Sequence, residues 1–287
     1  MSEILVDRDP CPCGSGRRIV DCCVRSCGWL LPPAPLTLFM NQRCYARRTR
    51  DCSTKLTREH AVSAGILSIM AARGPIRVSG LPRQPVGEVK LLTPQALASK
   101  ILCKRHNESL SPLDALGKRF FGSFPHISPS QTSADEQLRL FQGHDLERWM
   151  LKTMCGAICS RYVAGPAMPP PEWQPSVELL KVLLLGAPLV SPAGLYFRAN
   201  TGETIDPRPR VEVTLLANTQ EPQGIAILLH GFEFFLALEA PAESFLASTQ
   251  YRPNGLELNT PHGKTSLLFY WAESHYGATA NITFVPK

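Results

Sequence analysis

Between residues 133 and 162 apolar positions recur at helical spacing. Leu138, Phe141, Trp149, Met150, Met154 and Ile158 approximate one face, Ser133 followed by Glu136 has the form of a capping box, and Gly143 marks a break. On that reading Trp149 and Met150 enter the core and Glu147 and Arg148 stay outside. The next stretch, Gly165-Pro-Ala-Met-Pro-Pro-Pro-Glu-Trp173, cannot continue a helix, because proline lacks the amide proton and clashes with the preceding turn. A short helix is predicted from Ser176 to Leu185. Beyond Gly194 the pattern becomes strand-like: Leu195 to Arg198, Val211 to Leu216, Gly224 to Leu238, Gly255 to Asn259, Thr265 to Trp271 and Ala280 to Val285. Asn-Thr-Gly, Arg-Pro-Asn-Gly and Pro-His-Gly punctuate these runs with the residues turns require, and the whole predicts a C-terminal antiparallel β domain.

Upstream, Leu31-Pro-Pro-Ala-Pro-Leu36 separates two groups of cysteines. The expected organisation is α+β. It comprises a metal-binding module over 1–30, a Pro-rich spacer over 31–40, a second metal-bearing unit over 41–125, a helical region with its Pro-rich linker over 126–190, and the β domain over 191–287. No repeat of fixed period appears. The greasiest stretches, Leu30 to Met40 and Leu179 to Val190, are broken by Pro, Gly or Lys, whereas a membrane span needs roughly 20 unbroken apolar residues. No transmembrane segment and no membrane partner are expected.

Composition changes this picture only modestly. An apolar fraction of 44 % over 287 residues suits a chain with a real core, and a formal charge of +6 permits a polyanionic partner without demanding one. The ten cysteines are more informative. The N-terminus lacks the basic start and apolar run of a signal peptide, so a reducing cytoplasmic location is expected, where closely spaced cysteines serve as metal ligands more often than as disulfides.

Cys11-Pro-Cys-Gly-Ser-Gly-Arg-Arg-Ile-Val-Asp-Cys-Cys23 sets two thiolates one residue apart, then a Gly-Ser-Gly turn, then two adjacent cysteines. Four soft donors, Cys11, Cys13, Cys22 and Cys23, converging on one point suit tetrahedral zinc. Gly14 and Gly16 permit the tight turn. The segment resembles the SEC-C motif found at the end of the SecA translocase and appended to many bacterial proteins, with Arg17 and Arg18 at positions usually basic in that family. The resemblance implies a structural zinc and a protein partner docked through the module.

The second constellation is Cys44-Tyr-Ala-Arg-Arg-Thr-Arg-Asp-Cys52, then Thr57-Arg-Glu-His60, then Leu102-Cys-Lys-Arg-His-Asn-Glu-Ser-Leu-Ser-Pro-Leu-Asp114. Cys103 and His106 form a Cys-x-x-His pair at the start of a helix. Cys44 and Cys52 are the candidates for the other two ligands of a split site, a second structural zinc. With Glu59-His60 and Asn107, the pattern over residues 41 to 121 resembles the HNH, or ββα-metal, endonucleases of treble-clef fold. His106 stands where a cysteine is more common, and Glu59 where many relatives have Asp.

The resemblance implies phosphodiester hydrolysis in DNA. His60 would be the general base, Glu59 and Asn107 would hold a catalytic Mg²⁺ or Mn²⁺, and Asp114 is a further candidate ligand. Plainer readings stand beside these: a solvated Glu-His pair, Asn107 as a helix cap, and Asp114 as a polar residue of a helix start.

Local charge points the same way. From Asn41 to Arg58 six basic residues, Arg43, Arg47, Arg48, Arg50, Lys55 and Arg58, face Asp51 alone, and Lys104 and Arg105 extend the run. Lys118 and Arg119 lie further along the same segment. The competing expectation is a non-catalytic zinc adaptor that binds nucleic acid or protein on the same scaffold.

Overall fold

In the computed structural model, residues 10, 16–18, 21, 37–72, 74–82, 84–85, 88–124, 137–163, 168–198, 211–218, 221–229, 231–260, 263–272 and 277–283 are described. The first cysteine group, Cys11, Cys13, Cys22 and Cys23, lies outside them, as do Ser133 and Glu136.

Strand β1 (Leu56–His60) leads into helix α1 (Ala64–Ala71), a small hairpin of β2 (Ile76–Val78) and β3 (Lys90–Leu92), strand β4 (Ala98–Cys103) and helix α2 (Lys104–Gly122). β1 and β4 pair antiparallel, with Leu56 opposite Cys103 and His60 opposite Ala98. α2 follows β4 directly and buries Leu110, Leu113, Leu116, Phe120 and Phe121 along one stripe, the spacing of an amphipathic helix. Pro112 inside α2 deprives the Glu108 carbonyl of its usual amide donor; the Ser111 hydroxyl donates to that carbonyl at 2.9 Å.

The segment read as helical on both sides of a break at Gly143 is a strand followed by a helix, with the boundary at that glycine: β5 (Gln137–Gln142), then α3 (Gly143–Ser160). The boundary has a local cause, because the Gln142 side chain accepts from the Asp145 amide at 2.6 Å and so caps the helix one residue before Gly143. Leu138 and Phe141 fall at a helix-like interval, but they lie on a strand that pairs with the C-terminal sheet.

α3 is buried from Gly143 to Ile158 and touches α2, β4 and β5 as well as the C-terminal strands. Glu147 and Arg148, expected outside, are 2 % and 1 % exposed. Burial is possible because each has partners. Glu147 accepts from Arg252 Nε at 2.9 Å, the Leu195 amide at 2.9 Å and His144 Nδ1 at 3.0 Å. Arg148 donates to Asp145 at 2.9 Å and to the Leu183 carbonyl at 3.1 Å.

After the predicted short helix, seen as α4 (Val177–Leu180) with a π-helical turn at Lys181–Leu185, the chain enters its strands. β6 (Gly194–Arg198), β7 (Val211–Asn218), β8 (Glu221–Leu229) and β9 (Phe232–Ala237) are followed by the short helix α5 (Glu243–Leu246) and by β10 (Gln250–Tyr251). These strands form an antiparallel sheet in the order β10-β6-β9-β8-β7, and the run Gly224 to Leu238 is two strands turning at Gly231. β11 (Gly255–Thr260), β12 (Gly263–Tyr270) and β13 (Thr279–Thr283) join β5 in the order β13-β11-β12-β5.

This second sheet corrects the antiparallel expectation. β11 and β12 form an antiparallel hairpin, but β13 lies parallel to β11 and β5 parallel to β12. β5 comes from before α3, and a strand contributed from so far upstream is free to lie parallel, as hairpin neighbours are not.

Among the described residues a large apolar core runs from Cys44 to Ala280, with a smaller cluster at Tyr196, Ala226, Phe235 and Ala237. At the centre of the large core the Phe120 ring meets Phe141, Trp149, Phe234 and Phe269 edge-on. Gly117 lets α2 approach α3: a Cβ there would lie 2.3 Å from Trp149 Nε1. No helix among the described residues is long and apolar enough to cross a membrane.

Candidate metal centre

The loop before β1 carries two of the four expected ligands. A 3-10 turn at Arg47–Thr49 and a left-handed Arg50 (φ 54°) fold the seven residues between Cys44 and Cys52 back on themselves. Backbone bonds from Tyr45 to the Ile101 carbonyl (3.0 Å) and from Lys104 to the Lys55 carbonyl (2.8 Å) tie this loop to β4 and the start of α2. Cys103 ends β4 and His106 lies in the first turn of α2, so the wide spacing of the first pair still delivers both sulfurs to the second.

The ligand atoms of Cys44, Cys52, Cys103 and His106 all lie within 4.8 Å of one another, and all four residues are buried. His106 Nδ1 is 3.5 Å from Cys44 Sγ, 3.8 Å from Cys52 Sγ and 3.1 Å from Cys103 Sγ. A tetrahedral ion with metal–sulfur bonds of about 2.3 Å and a metal–nitrogen bond of about 2.0 Å requires sulfur–nitrogen edges of about 3.5 Å. The donor set can therefore hold a metal ion with little rearrangement.

Hydrogen bonding to Cys103 raises the Cys44 and Cys52 thiols above their ordinary values, and the same bonds lower Cys103. Thiolates are the metal-ligating form, so binding a cation would release protons from the set.

Thr49 fixes the histidine. Its hydroxyl donates to the Ala46 carbonyl at 2.9 Å, so its oxygen accepts from His106 Nε2 at 3.0 Å. That places the imidazole proton on Nε2 and turns the Nδ1 lone pair toward the sulfurs, a tautomer inferred from the network.

The other expected site residues have different surroundings. His60, half-buried at the end of β1, has Nε2 3.0 Å from the Pro94 carbonyl. A carbonyl only accepts, so Nε2 carries the proton and Nδ1 is the basic nitrogen. Burial lowers the pKa of His60 below its ordinary value.

Glu59, on the same strand, is buried and paired with Lys152 of α3. Lys152 Nζ also donates to Asp114 Oδ1 at 2.8 Å; the same oxygen takes the Ser63 hydroxyl at 2.6 Å, and Ser63 Oγ accepts Trp149 Nε1 at 3.0 Å. Burial raises Glu59 above the usual carboxylate range despite Lys152. For Lys152 itself burial pulls downward, but the charges of Glu59 and Asp114 outweigh it and the net direction is up.

Asn107 Nδ2 donates to Thr57 Oγ1 at 2.9 Å and to the Arg58 carbonyl at 3.1 Å, fastening α2 to β1. Glu59 and Asn107 therefore have separate partners, and the shared divalent ion that the HNH resemblance implies does not fit them as they stand. Asp114 is brought to Glu59 instead, through Lys152.

Among the basic candidates, Arg43, Arg48, Arg50, Lys55, Arg58 and Lys104 are exposed. Lys104 lies 3.6 Å from Glu108. Arg47 is half-buried and donates to the Gln42 carbonyl, and Arg105 is bound to Asp51 at 2.6 Å. Arg105 thus braces the cysteine loop.

Sequence reasoning missed Thr49, Ser63 and Lys152. Lys152 had a signal: it lies three residues after Trp149 on a helical face already assigned to the core. Thr49 and Ser63 had none, since their partners are distant in sequence. No protein-family model, curated protein or solved structure matches this chain.

Proposed function

We propose that the chain carries a zinc-stabilised ββα module of the HNH type that engages DNA and hydrolyses phosphodiester bonds, with His60 as general base. The observation that carries this reading is the junction of a buried Cys₃His donor set with β1, β4 and α2, His60 standing at the end of β1. Three thiol sulfurs and one imidazole in a closed tetrahedron suit structural zinc. The zinc ties the loop at Cys44 and Cys52 to the start of α2, and so supports the strand that presents His60.

In the proposed reaction His60 Nδ1 takes a proton from water as the water oxygen attacks phosphorus. The bond to the leaving oxygen breaks, and solvent protonates that oxygen. Pro94 holds the imidazole in the tautomer this requires. Exposed cations such as Arg58, two residues before His60 on β1, meet the phosphate charge.

The test compares nicking of supercoiled plasmid by the full-length protein and by His60→Ala at equal zinc content. Loss of about 10²–10⁴-fold supports the general base. Equal cleavage contradicts it.

A second reading, a non-catalytic zinc adaptor for nucleic acid or protein, is favoured by the closed pairing of Glu59 with Lys152. It predicts salt-sensitive binding with no cleavage by the unmodified protein. A SEC-C module that recruits a protein partner through Cys11, Cys13, Cys22 and Cys23 belongs to either reading.

A further inference from the structure

Lys152 is 2 % exposed, in the middle of a helix buried over most of its length. A lysine ammonium is costly to bury unless carboxylates surround it. Here two do, from separate elements: Glu59 from β1 and Asp114 from α2. Asp114 is further held by Ser63, and Ser63 by Trp149, so the carboxylate oxygen that faces Lys152 is oriented by groups from outside its own helix.

The arrangement resembles a cation site with the cation supplied by the protein. An Mg²⁺ ion bridging Glu59 Oε1 and Asp114 Oδ1, the two oxygens that Lys152 Nζ meets, would take them at about 2.0–2.1 Å and so would compete with Nζ for the space between them. The ammonium also cannot swing into solvent, because its stem is enclosed with α3 against α2 and β4.

We infer that Lys152 is the built-in cation of this cluster: its ammonium fills the place between Glu59 and Asp114 that a divalent ion would need, and closes the pair to Mg²⁺ and Mn²⁺. The inference stands independently of hydrolysis at His60, since it concerns which cation the two carboxylates hold. Lys152 is a positioning residue: paired with Glu59 of β1 and Asp114 of α2, it sets charge beneath β1.

The experiment titrates the zinc-loaded full-length protein with MnCl₂ and follows free Mn²⁺ by electron paramagnetic resonance. The unmodified protein is expected to show no Mn²⁺ site that depends on Glu59 or Asp114. Uptake of one Mn²⁺ that disappears in Glu59→Gln overturns the inference.

Lys152→Met removes the ammonium and keeps an unbranched stem. It is expected to acquire one Mn²⁺ site at least an order of magnitude tighter than anything in the unmodified protein, lost again when Asp114→Asn is added. A folded Lys152→Met protein that gains no Mn²⁺ overturns the inference. Should that variant fail to fold, the ammonium can be observed in the unmodified protein by proton–nitrogen NMR. A slowly exchanging Lys152 signal that persists in saturating MgCl₂ supports the built-in cation, and its displacement by Mg²⁺ refutes it.

Discussion

The Thr49 oxygen lies 3.0 Å from His106 Nε2, on the far side of the ring from the three sulfurs. Because the Thr49 proton is already committed to the Ala46 carbonyl, this contact selects the histidine tautomer that can ligate through Nδ1. Thr49→Val keeps the shape and removes the acceptor. It should weaken metal affinity about 10–100-fold, read by competition with a chromophoric chelator. Unchanged affinity would mean that the ring is oriented by packing alone.

Glu147 and Arg252, 105 residues apart, meet in the core and join α3 to the C-terminal strands. Removing Arg252 leaves the buried Glu147 carboxylate with only the Leu195 amide and His144 as partners. Arg252→Met should therefore cost about 3–5 kcal/mol in urea denaturation, and the double variant with Glu147→Leu should recover part of that loss. A single variant as stable as the parent would contradict the buried pair.

The lowered pKa of His60 has a defined sign. Burial disfavours the imidazolium, and the charge of Lys152 adds to that effect against the Pro94 bond. A base depressed in the fold contributes its stability intact above the ordinary value, about 6.5, and that contribution is lost as pH falls from there through the lowered value. An NMR titration should accordingly find His60 neutral at pH values where an ordinary histidine is protonated. The acid limb of any cleavage should follow the same value. A midpoint at or above the ordinary one would refute the assignment.

Arg48, Arg50 and Arg58 are exposed, whereas Arg105 is engaged by Asp51. Replacing any of the first three with Gln should weaken DNA binding across sequences and reduce the slope of log affinity against log salt by about 1 where the residue contacts a phosphate. Arg105→Gln should lower stability more than it changes the slope. Identical slopes in all four variants would remove the basic face from the account.

The clustering of Cys44, Cys52, Cys103 and His106 was legible in the sequence because metal-ligand patterns are a matter of residue type and spacing. Cys103 and His106 lie one helical turn apart, and even the wide Cys44–Cys52 interval closes once the 3-10 turn and left-handed Arg50 fold it. Most of the C-terminal strands were legible for the same reason, their turns being marked by Gly, Pro and Asn. Local patterns carry no information on partners far along the chain. Leu138 and Phe141 therefore read as helix although β12 pairs them into a sheet, and Glu147 read as solvated although Arg252 takes it inside. Glu59 and Asn107 were grouped by the HNH resemblance, but Lys152 lies 93 residues beyond Glu59, where no motif reaches.

Both proposed functions require that Cys44, Cys52, Cys103 and His106 hold one zinc ion, and zinc K-edge X-ray absorption tests that most directly. Measured on full-length protein carrying Cys11→Ser and Cys13→Ser, so that the N-terminal group no longer contributes, the first shell should contain three sulfurs at about 2.3 Å and one nitrogen at about 2.0–2.1 Å. A shell of four sulfurs, or a folded protein that retains no zinc, would contradict the account.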